Sequence, residues 1–218
     1  MRNTFQRELE ALHDELIKMG NLCETAISMA LKGLLDQDGS LIDNVFTVDR
    51  EIDKKEREVE RMSLHLLLTQ QPVAGDLRMT SAALKMVSDM ERIGDQASDI
   101  ADIARHMTGA SLPQTCIPAM GQAAITMVTE SIDAFVKNDL ELARKVMRDD
   151  DIVDNYFVSF QEELAELIQR DSAQGKAYID LLMIAKYLER IGDHATNIAE
   201  WVEYSLTDLG ESLKPILD

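Results

Sequence analysis

One stretch of this 218-residue chain occurs twice, and the repetition limits what the chain can fold into more than any other feature. Met90 to Ala101 (MERIGDQASDIA) matches Leu188 to Ala199 (LERIGDHATNIA) at an offset of 98, and Asp49 to Asp53 (DREID) resembles Asp150 to Asp154 (DDIVD) at an offset of 101. The longer match sits on one periodic frame in both copies. Met79, Ala83, Met86, Met90, Ile93, Ala97, Ile100 and Ala104 alternate spacings of four and three, and Leu181, Ile184, Leu188, Ile191, Ala195, Ile198 and Val202 repeat that rhythm. Such spacing is the a/d seam of a helix packed in a bundle, so each half contributes at least one such helix.

Punctuation supplies the rest of the frame. With only 10 Gly and 4 Pro the turn chemistry of an all-β fold is missing. Turn signals fall at Asp36 to Ser40, Gln71 to Asp76, Gly109 to Pro118, Lys137 to Asp139 and Asp171 to Gly175. They cut the chain into six segments, each of which reads as a helix; about 30 residues at about 1.5 Å rise gives helices of roughly 45 Å, and short connections make neighbours antiparallel. The fold class expected is therefore all-α, two tandem three-helix bundles, with residues 1–109 forming the first repeat and 110–218 the second. Pro113 and Pro118 mark the join, near residue 110.

Charge narrows the choice of partner. There are 40 acidic and 22 basic side chains, a net charge of −18, and a sequence pI near 4.5. A field of that sign repels phosphate backbones, so nucleic acid is excluded and cations or basic protein surfaces are favoured. No apolar run reaches the roughly 18 to 20 residues of a membrane helix, and Met1 to Leu12 has no apolar core for a signal peptide, so a cytoplasmic, not membrane-spanning protein is expected. Cys23 and Cys116 lack CxxC spacing and read as small buried hydrophobes.

The residues that stand out are acidic. Glu91, Asp95 and Asp99 lie four apart on one helix face, off the seam, and the sixth helix holds Glu189, Asp193 and Asn197 at the same places. Asp49 with Asp53, and Asp150 with Asp154, add carboxylate pairs on the second and fifth helices. Like charges at that spacing repel, so such rows need free solvation or a counter-ion. A solvated face accounts for any one row, but the pentad Glu-Arg-Ile-Gly-Asp, identical at 91–95 and 189–193, is not required by folding alone. Gly94 and Gly192 each cost about 1 kcal/mol mid-helix, so a neighbouring helix or a ligand must approach the backbone there. Arg92 and Arg190, among so many acids, are expected to pair within the chain. Oxygen donors with little His and no Cys suit Mg²⁺, Mn²⁺, Ca²⁺ or iron held between helices.

Other chemistry is absent. The sequence has no phosphate loop, GxGxxG, GxSxG or HExxH, and it lacks the Glu-x-x-His on each of two helices that the di-iron kind requires. His13, His65 and His106 read as structural, and His194 as lying off the acidic row.

Two ERIGD copies in register with a six-helix duplication, together with the Gln70-Gln71-Pro72 turn before Asp76-Leu77-Arg78, resemble the PhoU family from about Phe5 to Tyr204. The resemblance implies tandem three-helix bundles, commonly dimeric, that bind divalent or ferric ions (iron, manganese, zinc or magnesium) through E/DxxxD motifs. Carried onto this chain, the motif falls on Asp49, Asp53, Glu91, Asp95 and Asp99, and on Asp150, Asp154, Glu189, Asp193 and Asn197; Asn197 leaves the second row one charge short. It also implies a cytosolic, non-catalytic adaptor and homodimer. Such an adaptor links the ATPase subunit of a phosphate ABC importer to a phosphate-sensing histidine kinase and restrains both when phosphate is plentiful. The competing expectation is an enzyme with a carboxylate-bound metal centre acting on phosphate esters or oxygen.

Overall fold

In the computed structural model, which describes residues 2–107, 113 and 115–207, the six expected helices are α1 (Arg2–Asp36), α2 (Gly39–Gln70), α3 (Gly75–His106), α4 (Ile117–Lys137), α5 (Leu140–Arg170) and α6 (Gly175–Leu206), with a single 3-10 turn at Ser172–Gln174. The two halves turn their first corner with the same chemistry. Gln37 and Asn138 adopt left-handed backbone with φ of 54° and 53°, and the next residue, Asp38 or Asp139, caps the following helix. Asp38 Oδ1 accepts from Ser40 N at 2.9 Å, and Asp139 Oδ1 from Leu142 N at 3.0 Å. These caps satisfy amides that the helix start leaves unpaired. The expected join near residue 110 lies outside the described residues.

Each half is a three-helix bundle, α1–α3 and α4–α6, and the two share one continuous apolar core. Both seams are confirmed: Ala83 through Ala104 on α3, and Leu181 through Val202 on α6, are buried at the positions the spacing predicts. Met79, at the start of the α3 seam, is only partly buried.

The halves meet through α3 against α6 and α1 against α4, leaving α2 and α5 on opposite flanks. A quasi-two-fold relation governs this contact. A methyl added at Gly20 would collide with Ile132, and one added at Gly121 with Leu31. Gly20 and Gly121 are 101 apart in sequence, as are Leu31 and Ile132. Residue i meets the counterpart of j, and j the counterpart of i, as in an isologous dimer interface.

The α3–α6 crossing repeats that logic with polar groups. Asp89 of α3 accepts from His194 Nδ1 at 2.9 Å and from Asn197 Nδ2 at 3.1 Å, both on α6. At the offset of 98, Asp89 corresponds to Tyr187 and Asn197 to Asp99, and the Tyr187 hydroxyl lies against Asp99. Cys23 is fully buried, its thiol donating to Met90 O at 3.3 Å. Burial pushes its pKa up to about 12, so it is an inert core group as expected.

Candidate functional site

The acidic rows face their flanking helices. α2 crosses α3 at Gly94, where an added Cβ would lie 3.0 Å from Ile52 Cδ1 and 3.2 Å from Asp49 Oδ1. α5 crosses α6 at Gly192, where the same atom would lie 3.4 Å from both Asp150 Oδ1 and Val153 Cγ1. The two explanations of these glycines therefore merge. A helix makes the close approach, and that helix delivers a carboxylate.

In the first half Asp49 and Asp53 of α2 are brought up to Glu91 and Asp95 of α3, with Asp99 at the end of the row. Burial holds the Asp49 pKa above the ordinary range, and repulsion from Asp53, Asp95 and Asp99 adds to it. The Ser98 hydroxyl, next to Asp49, works the other way. Glu91 is raised by burial and then by Asp95, Glu56 and Asp53; Asp99 is raised by burial and Asp95, against which Arg190 and Tyr187 act. Arg92 pairs within the row, 3.2 Å from Asp95 and 3.7 Å from Glu91, as expected of it.

Glu56, on α2, also belongs to this face and escaped the sequence reading. Burial raises its pKa, followed by Glu60, Asp53 and Asp95. It lies three residues beyond Asp53, so one further helical turn along the DxxxD pair would have found it.

The second half keeps the frame with different chemistry. Asp150 and Asp154 face Asp193, and the Asp150 pKa is raised by burial, then by Asp154 and Asp193, with Thr196 acting against it as Ser98 does in the first half. Glu189, however, is bonded to Lys186, and the Lys186 ammonium stands 5.3 Å from the centre of the Phe157 ring. Asn197 is turned toward Asp89 across the α3–α6 crossing. His194 lies off the row, as expected, on the same Asp89.

Among the described residues no three His, Cys, Asp or Glu side chains converge into a ready-made metal shell; the carboxylates stand as facing rows. The first face nevertheless fits a hard cation in its donor chemistry, being all oxygen, partly desolvated and mutually repelling. The second face fits less well, because its Glu56 position is a phenyl ring and it already contains an ammonium group.

A model of the PhoU domain matches residues 16–104 and 117–202, one copy per half. The chain belongs to the PhoU family. The phosphate-specific transport system accessory protein PhoU homolog of Clostridium acetobutylicum is 35% identical over 94% of this chain and 95% of its own length. The crystal structure of PhoU from Pseudomonas aeruginosa superposes with a TM-score of 0.88 at 34% identity, covering 93% of this chain and 98% of that one. That of the phosphate transport system regulatory protein PhoU from Streptococcus pneumoniae gives 0.85 at 26% identity, covering 94% and 100%. No described helix is long and apolar enough to cross a membrane.

Proposed function

We propose that this chain is an accessory regulator of inorganic phosphate uptake. It acts as a non-catalytic cytoplasmic adaptor and homodimer that restrains a phosphate ABC importer through its ATPase subunit, together with the phosphate-sensing histidine kinase. The observation that carries this reading is the duplicated PhoU domain over nearly all of the chain, in relatives whose names specify phosphate transport. An iron, manganese, zinc or magnesium ion on the α2–α3 face would relieve the carboxylate repulsion and fix the face that α2 presents. Long rigid helices with exposed flanks suit protein contacts. In cells deleted for this chain, a phosphatase reporter of phosphate starvation should stay on in rich phosphate, and the wild-type chain should switch it off. A reporter that responds normally without the chain overturns the proposal.

A further inference from the structure

The duplicated frame shows which site positions have changed between the halves. At the offsets that relate the helices, Glu56 corresponds to Phe157 and Ser88 to Lys186. A donor has become a ring, and a small hydroxyl has become a cation. We propose that the Lys186 ammonium is the built-in counter-ion of the α5–α6 row, so that metal is taken by the α2–α3 row alone. The first-row part of this rests on the metal reading above.

The contacts explain how the replacement works. Glu189 has a side chain only 15% exposed, and its partner is Lys186. Phe157 presents its ring to that same ammonium, so the two substitutions act together on one charge. Asn197 spends its amide on Asp89, leaving Asp150, Asp154 and Asp193 as the second row's uncommitted donors. A metal ion that drew on Glu189 as well would have to displace the Lys186 ammonium bonded to it. Arg92 of the first row, 60% exposed and paired with Asp95 and Glu91, has its own counterpart in Arg190, so the arginine is common to both frames and Lys186, which stands where the first half has Ser88, is the cation added in the second.

The test uses the full chain, stripped with chelator and titrated with Mn²⁺ by equilibrium dialysis. Asp95→Asn is expected to abolish tight uptake and Asp193→Asn to leave it unchanged, while Phe157→Glu with Lys186→Ser creates a second binding equivalent. In chelator, Lys186→Ser is expected to melt about 2 to 4 °C below wild type, with Lys186→Arg restoring the midpoint. Equal loss of Mn²⁺ in the two aspartate variants overturns the proposal. So does a folded double variant that gains no ion, or a Lys186→Ser protein that melts like wild type. If wild type takes up no Mn²⁺ while Lys186→Ser still melts low, the metal reading of the first row falls and the counter-ion role of Lys186 stands.

Discussion

The α2–α3 and α5–α6 faces share their architecture and differ in their charge. Both have a glycine at the helix crossing, an aspartate pair on the flanking helix, a Glu-Arg-Ile-Gly-Asp pentad and a hydroxyl beside the deeper aspartate. Where the first places Glu56, Ser88 and Asp99, the second places Phe157, Lys186 and Asn197. Backbone approach is hard to vary, since a new side chain at the crossing must displace a packed helix. The charge of a half-exposed rim is easy to vary. A duplicated bundle can thus keep one geometry and give its halves different ion requirements.

The largest effect is expected from converting the first face into the second. Glu56→Phe with Ser88→Lys removes a donor and adds an ammonium. At about 5 Å and an effective dielectric of about 20, unit charges repel by about 3 kcal/mol. Mn²⁺ affinity should fall by at least about 100-fold, and repression of the starvation reporter should weaken with it. Unchanged affinity would show that the two faces are chemically equivalent after all.

Next in size is the polar clasp between the halves. Asp89 has a side chain 16% exposed and accepts from both His194 and Asn197. Asp89→Ala strands an imidazole and an amide and should cost about 2 to 3 kcal/mol in urea unfolding. Its counterpart change, Tyr187→Phe, removes one partly solvated hydroxyl and should cost less than about 1 kcal/mol. Equal costs would mean that the two ends of the crossing are the same.

The glycines give a smaller and more diagnostic contrast. Alanine gains up to about 1 kcal/mol over glycine in a helix. At Gly192 the added methyl finds ordinary contact distance, so Gly192→Ala should be neutral to stabilising. At Gly94 it would press on Ile52 and Asp49, so Gly94→Ala should lose that gain and be destabilising by about 1 kcal/mol. The sign of the difference between the two variants is the quantity to measure.

How much of this the sequence discloses follows from which interactions are local. Seams and turns depend on spacing along one helix, so Met86, Met90 and the corners at Asp36 to Ser40 and Lys137 to Asp139 were legible, and so was each acidic row. Which way Asn197 faces depends on where α3 lies, and its partner Asp89 is 108 residues away. Periodicity along α6 cannot specify that contact. Glu56 and Lys186 were hidden for a different reason. They sit outside the matched segments, where the halves differ, and only the extended offsets align them with Phe157 and Ser88.

The smallest expected effect is on pH dependence, measured in chelator. Asp49, Glu56, Glu91 and Asp99 on the first face, and Asp150 on the second, have raised folded-state pKa values. The folded protein therefore binds these protons more readily than the unfolded chain. Their charged forms cost stability at neutral pH, and the cost fades as pH falls through the raised values toward 4.5 for glutamate and 3.8 for aspartate. His13 acts in the opposite sense, since burial against Phe135 lowers its pKa and its protonation below 6.5 favours unfolding. That contribution is common to all variants, so differences between variants remove it. Glu91→Gln should melt above wild type at about pH 7, and the advantage should shrink toward about pH 5, where wild type protonates for itself. Asp150→Asn should show the same trend, because burial and the like charges of Asp154, Asp193 and Asp151 act on it in the same sense. An advantage that is constant with pH, or larger in acid, would mean that repulsion between the facing rows is not what these two variants relieve.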